Sequence, residues 1–356
     1  MDLLLHLTLF VVTTTLLLFK RKSAPQLVGY FIAITLIIVV VGLRGKSVGT
    51  DTHNYYRMFW DIIFVQGSAY LDKLEPLYKL LNKSVFWCGG SPETLIFVST
   101  LITYGFMAST IYRYSPSLPL SLATLYGVGP FFFLYSGIRQ GIAIVLVFYS
   151  IKFVAQQKII KFITTIIIAV GFHYSAIVFL PVYFLPKIHL KPIVLGIMWL
   201  ISLIFIFDRN IAFLMLQEML FFIPKTYIWA MSNPDLVGTE GNTGLGIRLI
   251  FTQLICLFLC CSYNKIETNE HKLILLFCTL GIIFSNIFFH AGFVNRIAFY
   301  FDVFLILSLP IAVHYMFKRA NRAIVTFSLY CCCALFFARS LTTGLYDVLP
   351  YHTIFK

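Results

Sequence analysis

Apolar residues dominate the chain in long blocks, separated by short polar segments that are mostly basic. The blocks run Leu3 to Phe19, Leu27 to Leu43, Leu95 to Tyr112, Leu120 to Tyr135, Ile138 to Ala155, Ile193 to Phe207, Ile247 to Tyr263, Leu273 to Phe289, Ile297 to Phe317 and Ala323 to Ala338. A helix needs roughly 20 apolar residues to cross the hydrocarbon of a bilayer, and most of these blocks approach that length. The pattern predicts an all-α polytopic membrane protein of about 11–13 transmembrane helices, some broken or interfacial, forming one integral membrane domain over residues 1–356. Between Lys158 and Pro186 the apolar run is long for one span and is interrupted by Gly171-Phe172-His173-Tyr174-Ser175. It reads as one tilted helix or as two half-helices meeting near His173, and irregular backbone at that depth is tolerated only where protein or a cavity surrounds it.

Basic residues set the threading. Lys20-Arg21-Lys22, Lys152 with Lys158 and Lys161, Lys265 with Lys272, and Lys318-Arg319 with Arg322 all fall on one side, the cytoplasmic one by the positive-inside rule, which puts both termini outside. The first block has its positive charges behind it and another span after them, so it reads as a retained helix, not a cleaved signal peptide. Two outer loops result, at approximately 44–94 and 224–246. In the first, Leu77, Leu80, Leu81 and Val85 recur at helical spacing between lysines, as in a helix lying on the membrane surface. The second, "SNPDLVGTEGNTGLG", is rich in turn residues. The Ile211 to Ile223 segment before it is interfacial or spanning, depending on how 158–186 is threaded.

Composition agrees. The chain has 356 residues, 60% of them hydrophobic and 12% charged, with a mean hydropathy of +0.89, too apolar for a soluble protein. Its formal net charge of +13 sits largely in topology-setting loops, so nucleic acid is excluded as a partner and the bilayer is the expected one. The eight cysteines show no spacing typical of zinc or of a disulfide framework, and neither metal nor cofactor is expected.

Four arginines break the charge rule. Arg44 ends the second span on its outer side, and Arg139, Arg248 and Arg296 each fall in the first turn of a helix that starts outside. A helix N-terminus already carries partial positive charge, so a cation there is a local conflict. An anionic ligand held jointly by guanidinium groups and free helix N–H groups resolves it, and the planar guanidinium fork suits phosphate. Taken singly, each arginine also reads as a side chain snorkelling into the outer headgroups. Asp51 caps the following helix or serves as a general base beside the anion site. His173 is the other candidate base, or a histidine bonded to neighbouring backbone. Tyr55, Tyr56 and Trp60 stack on sugar rings or belong to the interfacial aromatic belt.

The order "LRGKSVGTDTHNYY", "EPLY", "GIRQGIA" and "FHYSA" resembles the EpsG family of bacterial exopolysaccharide proteins, itself similar to the Wzy O-antigen polymerases; the motifs cover roughly residues 40–185. The family motif falls on Arg44, Gly49, Thr50, Asp51 and Tyr55, on Glu75 and Tyr78, on Arg139 and Gln140, and on His173 and Ser175. Where the family commonly has Gly-Thr-Asp-Tyr, this chain has Gly-Thr-Asp-Thr. The resemblance implies a GT-C-like helical glycosyltransferase, using no nucleotide sugar, at the outer face of the bacterial inner membrane. It moves a growing glycan from an undecaprenyl-pyrophosphate carrier onto a lipid-linked repeat unit. On that reading Arg139, Asp51 and His173 are catalytic and Arg44, Tyr55, Glu75 and Gln140 bind substrate; Arg248 and Arg296 join the substrate-binding set on the topology argument, since the C-terminal half resembles the family only in its span pattern. The sequence leaves open whether it acts alone or beside a chain-length regulator and a flippase. The rival classes are a flippase of lipid-linked oligosaccharides and a membrane acyltransferase anchored by His173.

Overall fold

The structure, a computed structural model, describes residues 2–65, 67–188, 191–208, 211, 246–290 and 295–355. The second expected outer loop and the Ile211 to Ile223 segment lie, apart from Gly246 and Ile211, outside the described residues. Among those described there is no strand, only an isolated antiparallel bridge between Arg44 and Thr353. The helices are α1 Asp2–Thr15, α2 Ala24–Gly42, α3 Thr52–Phe64, α4 Ala69–Asp72, α5 Pro76–Trp87, α6 Pro92–Tyr114, α7 Leu118–Gly127, α8 Phe131–Ser136, α9 Ile138–Ala155, α10 Ile159–Phe172, α11 Pro192–Ser202, α12 Ile204–Phe207, α13 Ile247–Ser262, α14 Asn269–Ile287, α15 Phe299–Asp302, α16 Leu305–Met316 and α17 Arg319–Thr342.

Among the described residues, seven stretches have the length and apolarity to cross a bilayer: α2, α6, α9, Ile247–Lys265, α14, Arg296–Met316 and α17. Five shorter apolar stretches accompany them: α1, α7, α10, Tyr174–Lys187 and Pro192–Phe207. The chain is therefore an all-α, multi-pass membrane protein. Local chemistry fixes the starts of several of these helices. Ser23 caps α2 by accepting from Gln26 N at 3.3 Å, with a proline in the first turn, where the missing N–H costs nothing. Ser91 and Thr94 form a capping box at the start of α6.

The described residues fall into two compact units. The first comprises Met1–Tyr183 with Phe317–Lys356. Its α9 lies between α6 and α10 and is buried on almost every side, as an all-round apolar helix must be. A set of hydrogen bonds gathers one end of this unit. Tyr351 N donates to the Asp2 carboxylate (3.1 Å), Gly45 N to His352 O (2.8 Å), Gly49 N to Asp347 O (2.9 Å) and Thr50 N to Tyr346 O (3.0 Å). The C-terminal segment thus straps the loop after α2 and meets the start of α1. The other end is formed by the connections 16–23, 115–117, 156–158 and 317–318, which contain lysines and an arginine but no aspartate or glutamate. Within this unit the helices alternate as the charge rule expects.

The second unit is Phe184–Met316. A polar chain ties its apolar helices together: Trp199 Nε1 donates to Gln253 Oε1 (2.8 Å), Gln253 Nε2 to Asn286 Oδ1 (2.9 Å), and Asn286 Nδ2 to Ser202 Oγ (2.9 Å). Such bonds hold helices where lipid gives no hydrophobic drive to associate.

Gly127 shows how closely α7 and α17 approach, because a Cβ there would lie 2.5 Å from both the Cα and the carbonyl oxygen of Cys333. Backbone cannot yield as a side chain can. Gly127→Leu is expected to destabilise the protein by about 1–3 kcal/mol or more, read as a lower detergent-solubilised Tm, whereas Gly105→Leu, where a Cβ meets nothing within 4 Å, leaves Tm nearly unchanged.

Candidate active site

The apolar run from 158 to 186 breaks where the sequence offers a break. α10 stops at Phe172, His173 is extended (φ −157°, ψ 118°), and a 3-10 helix continues over Tyr174–Lys187. The two half-helices meet at His173. Gly171 brings that junction against α5, for a Cβ on it would come within 2.5 Å of the Leu77 side chain. Two residues before Leu77 stands Glu75, at the N-cap position of α5 with Pro76 opening the helix. The close approach of α10 to α5 thus sets His173 opposite Glu75.

Glu75 is the centre of the site. Its Oε1 accepts from His173 Nδ1 at 2.8 Å and its Oε2 accepts from Arg139 Nη1 at 2.7 Å, while the carboxylate itself is only 4% exposed. Both bonds have the short length of charge-assisted pairs. Burial pushes the Glu75 pKa up, but the hydrogen bond from His173 and the charge of Arg139 outweigh it and hold the carboxyl at about 2. An ionised carboxylate only accepts hydrogen bonds, so the proton of this pair lies on His173 Nδ1, and in neutral imidazole Nε2 is then an acceptor. His173 and Arg139 keep 19% and 24% of their side chains exposed. Each is thus bonded to Glu75 and mostly buried, with part of its side chain exposed.

Arg139 is the second residue of α9, as expected, and its guanidinium lies 5.6 Å from the ring centre of the fully buried Tyr78. Tyr78 in turn meets Tyr55 edge-on at 6.2 Å. Tyr55 is within electrostatic reach of Arg139, Asp51 and Arg44, and so links the two arginines. Gln140 is buried beside Arg139 in the first turn of α9. The buried face of α5 runs through Tyr78, Asn82 and Val85, with Leu80 half exposed. This differs from the expected Leu77, Leu80, Leu81, Val85 stripe because Tyr78 is drawn to Arg139.

Arg44 occupies a different environment from the one the sequence suggested. It is 1% exposed, with Nε donating to Thr52 Oγ1 (3.2 Å), Nη1 donating to Val41 O (2.6 Å), and its guanidinium carbon 5.1 Å from the Tyr135 ring centre. Its Nη2 is buried without a hydrogen-bond partner. A substrate-facing cation was expected here, but the side chain is enclosed. Thr52 Oγ1, which takes the Arg44 bond, donates to Val48 O at 2.7 Å, and Gly49 between them has φ +95°, the left-handed region that glycine adopts without strain. Asp51 sits at the N-cap position of α3 but makes no side-chain cap, and its backbone N donates to Ser136 Oγ at 3.0 Å. That bond ties the Gly-Thr-Asp loop to the approach of α9.

The structure therefore brings Arg44, Asp51, Tyr55, Glu75, Arg139, Gln140 and His173 to one end of the first unit. Arg248 and Arg296 belong to the second unit, where Arg248 is the second residue of α13 and Arg296 opens a 3-10 turn, both at helix starts as expected. The sequence reading missed the C-terminal strap, in which Asp347 accepts from Gly49 N and from Thr50 Oγ1 (3.3 Å). Nothing local in "GLYDVLPYHT" announces a partner about 300 residues earlier. Among the described residues no cluster of histidine, cysteine and acidic side chains has the makings of a metal site.

The chain is thus an all-α multi-pass membrane protein with a carboxylate, a guanidinium and an imidazole joined in one cluster on segments beside its spans. The model of the EpsG family matches residues 27–353, and the chain belongs to that family. It is thereby a glycan polymerase of the exopolysaccharide kind, a glycosyltransferase in its broad class. No curated protein and no solved structure matches the chain.

Glu75→Gln removes the charge that Arg139 and His173 share. It is expected to lower stability by about 1–3 kcal/mol, read from thermal unfolding at pH 7. Because the folded pKa of Glu75 lies below its ordinary 4.5, its contribution is full above about pH 4.5 and is lost as pH falls toward 2. The Tm difference between wild type and Glu75→Gln should accordingly shrink through that window; a difference independent of pH would contradict the account.

Proposed function

We propose that the protein transfers a growing glycan from undecaprenyl pyrophosphate onto a lipid-linked repeat unit at the outer face of the bacterial inner membrane. The observation that carries this reading is the Glu75 carboxylate divided between His173 and Arg139. Glycosyl transfer from a lipid diphosphate has two requirements: a base for the proton of the attacking hydroxyl and positive charge for the departing diphosphate. The shared carboxylate prepares both groups at once.

In the proposed step the acceptor hydroxyl oxygen forms a bond to the anomeric carbon of the donor sugar. The bond from that carbon to the diphosphate oxygen breaks, and the electron pair leaves with the lipid diphosphate. His173 Nε2 takes the hydroxyl proton, while Glu75 holds the ring in the tautomer that allows it and stabilises the imidazolium that forms. Glu75 is thus a positioning residue. The exposed remainder of Arg139 meets the diphosphate, and an arginine already fixed by one carboxylate needs little reorganisation to do so. Arg44, enclosed by Thr52, Val41 and Tyr135, holds the Gly-Thr-Asp loop, with Asp51 on it as the alternative base. Arg248 and Arg296, in the second unit, are retained as candidate anion ligands on the strength of their helix-start positions. Partners follow from the reaction: the lipid-linked oligosaccharide itself, and the flippase and chain-length regulator that such a system needs.

The test reads glycan length on gels from cells whose only copy is a variant, with protein level checked by immunoblot. His173→Gln is expected to slow chain growth by about 10²–10⁴-fold, Arg139→Ala and Arg139→Lys to reduce the ladder to single repeats, and Asp51→Asn to retain long chains. Full ladders in both arginine variants would remove Arg139 from the leaving-group role, and loss in Asp51→Asn with growth in His173→Gln would move the base to Asp51. A deletion strain should leave surface glycan capped with one repeat; precursor trapped inside with no surface repeat would instead mark a flippase.

A further inference from the structure

Arg44 carries a charge that its bonds do not match. The guanidinium is 1% exposed, and its hydrogen bonds run to a hydroxyl, Thr52 Oγ1, and to a carbonyl, Val41 O. Neither acceptor is an anion. The carbonyl end of α2 and the face of Tyr135, 5.1 Å away, offset part of the charge, as helix C-termini and aromatic faces do. A buried cation is ordinarily met by a full negative charge. The side chains within electrostatic reach of this one are Tyr135, Tyr104, Tyr55 and Tyr56, all phenols, which carry no charge at pH 7.

Three buried donors at this point have no hydrogen-bond partner among the described residues. They are Arg44 Nη2 and the hydroxyls of Tyr104 and Tyr135, each on a side chain that is 0–1% exposed. The three groups lie within electrostatic reach of one another. They come from three places in the chain: the loop after α2, the middle of α6 and the short α8. Buried polar groups are nearly always paired, and a single exception is explained by local packing. Here three exceptions surround one unmatched cation, and each of the three can offer a hydrogen to the same acceptor.

We propose that Arg44 Nη2 and the hydroxyls of Tyr104 and Tyr135 hold a monatomic anion, chloride under ordinary conditions. A halide accepts hydrogen bonds from every side, needs no orientation and supplies the missing full charge. With Arg44 only 1% exposed, the site has no opening for the head of a lipid diphosphate, so it is distinct from the partly exposed Arg139. The ion is a structural ligand that ties α6 and α8 to the loop after α2, whose Gly-Thr-Asp turn Arg44 already holds through Thr52. It does not depend on the reaction assigned to the Glu75 cluster.

The experiment follows the Tm of purified full-length protein in detergent while sodium chloride replaces sodium gluconate at constant ionic strength. Tm is expected to rise with chloride and to saturate, as it does for a ligand of the folded state. Crystals soaked in bromide should show an anomalous peak between Arg44 and the two tyrosines. Tyr104→Phe and Tyr135→Phe each remove one donor and keep the ring. Each should raise the chloride midpoint about tenfold, with a Tm in gluconate no lower than that of wild type. Arg44→Gln should abolish the chloride response, and the two tyrosine variants carry the test if that protein folds poorly. Equal Tm in chloride and gluconate, with water alone meeting the donors, would overturn the proposal, as would chloride midpoints unchanged in both tyrosine variants. Glycerol phosphate acting at lower concentration than chloride would overturn it too, in favour of a phosphate group at Arg44.

Discussion

The buried carboxylate of Glu75 accepts from Arg139 and His173 at once, and the arrangement of this end of the protein depends on that division. A carboxylate that is 4% exposed is stable as an anion only if its oxygens are satisfied and its charge is met. Two partners, each bonded to a different oxygen, do both. They come from different elements: the first turn of the largely buried α9 and the break between two half-helices. Glu75 itself lies on the short α5. The same bonds that stabilise the anion therefore lock the relative positions of α5, α9 and α10, and structural and chemical requirements coincide in one side chain.

Around this centre the cations are handled in two ways. Arg139 is charge-paired yet partly exposed, whereas Arg44 is enclosed by a hydroxyl, a carbonyl and the face of Tyr135. A guanidinium tolerates such surroundings better than an ammonium, because it is more weakly hydrated and stacks on aromatic rings. The division assigns them different work. Arg44 fixes the turn through Gly49 and Thr52, and the C-terminal strap fixes the same turn from the other side through Asp347 and His352. Asp51 stands between these two supports, with its backbone on Ser136.

Much of this was legible in the chain. Span-length apolar blocks and basic connections predicted an all-α membrane protein, because burial in lipid and the cost of unpaired backbone leave few other readings; the Gly-Phe-His interruption offered a break at His173 as one of two threadings. Helix-start arginines at 139, 248 and 296 were visible for the same reason. What pattern did not reveal was pairing across long sequence separations. Glu75 was placed in the site by its motif, but its double bond to residues 64 and 98 positions later follows from the packing of α10 on α5 through Gly171, which no local spacing encodes. The enclosure of Arg44 was hidden likewise, since an arginine after an apolar run looks the same whether it meets headgroups or the ring of Tyr135. The strap over residues 45–50 was illegible because its bonds are mainly backbone to backbone and carry no side-chain signature.

The most direct test is a density map of the protein with a lipid-diphosphate-linked oligosaccharide bound. The account predicts diphosphate density against the open edge of Arg139, a sugar hydroxyl within hydrogen-bond distance of His173 Nε2, and Glu75 still bonded to both residues. Diphosphate seated away from Arg139, or a bound state in which Glu75 has released His173, would contradict it.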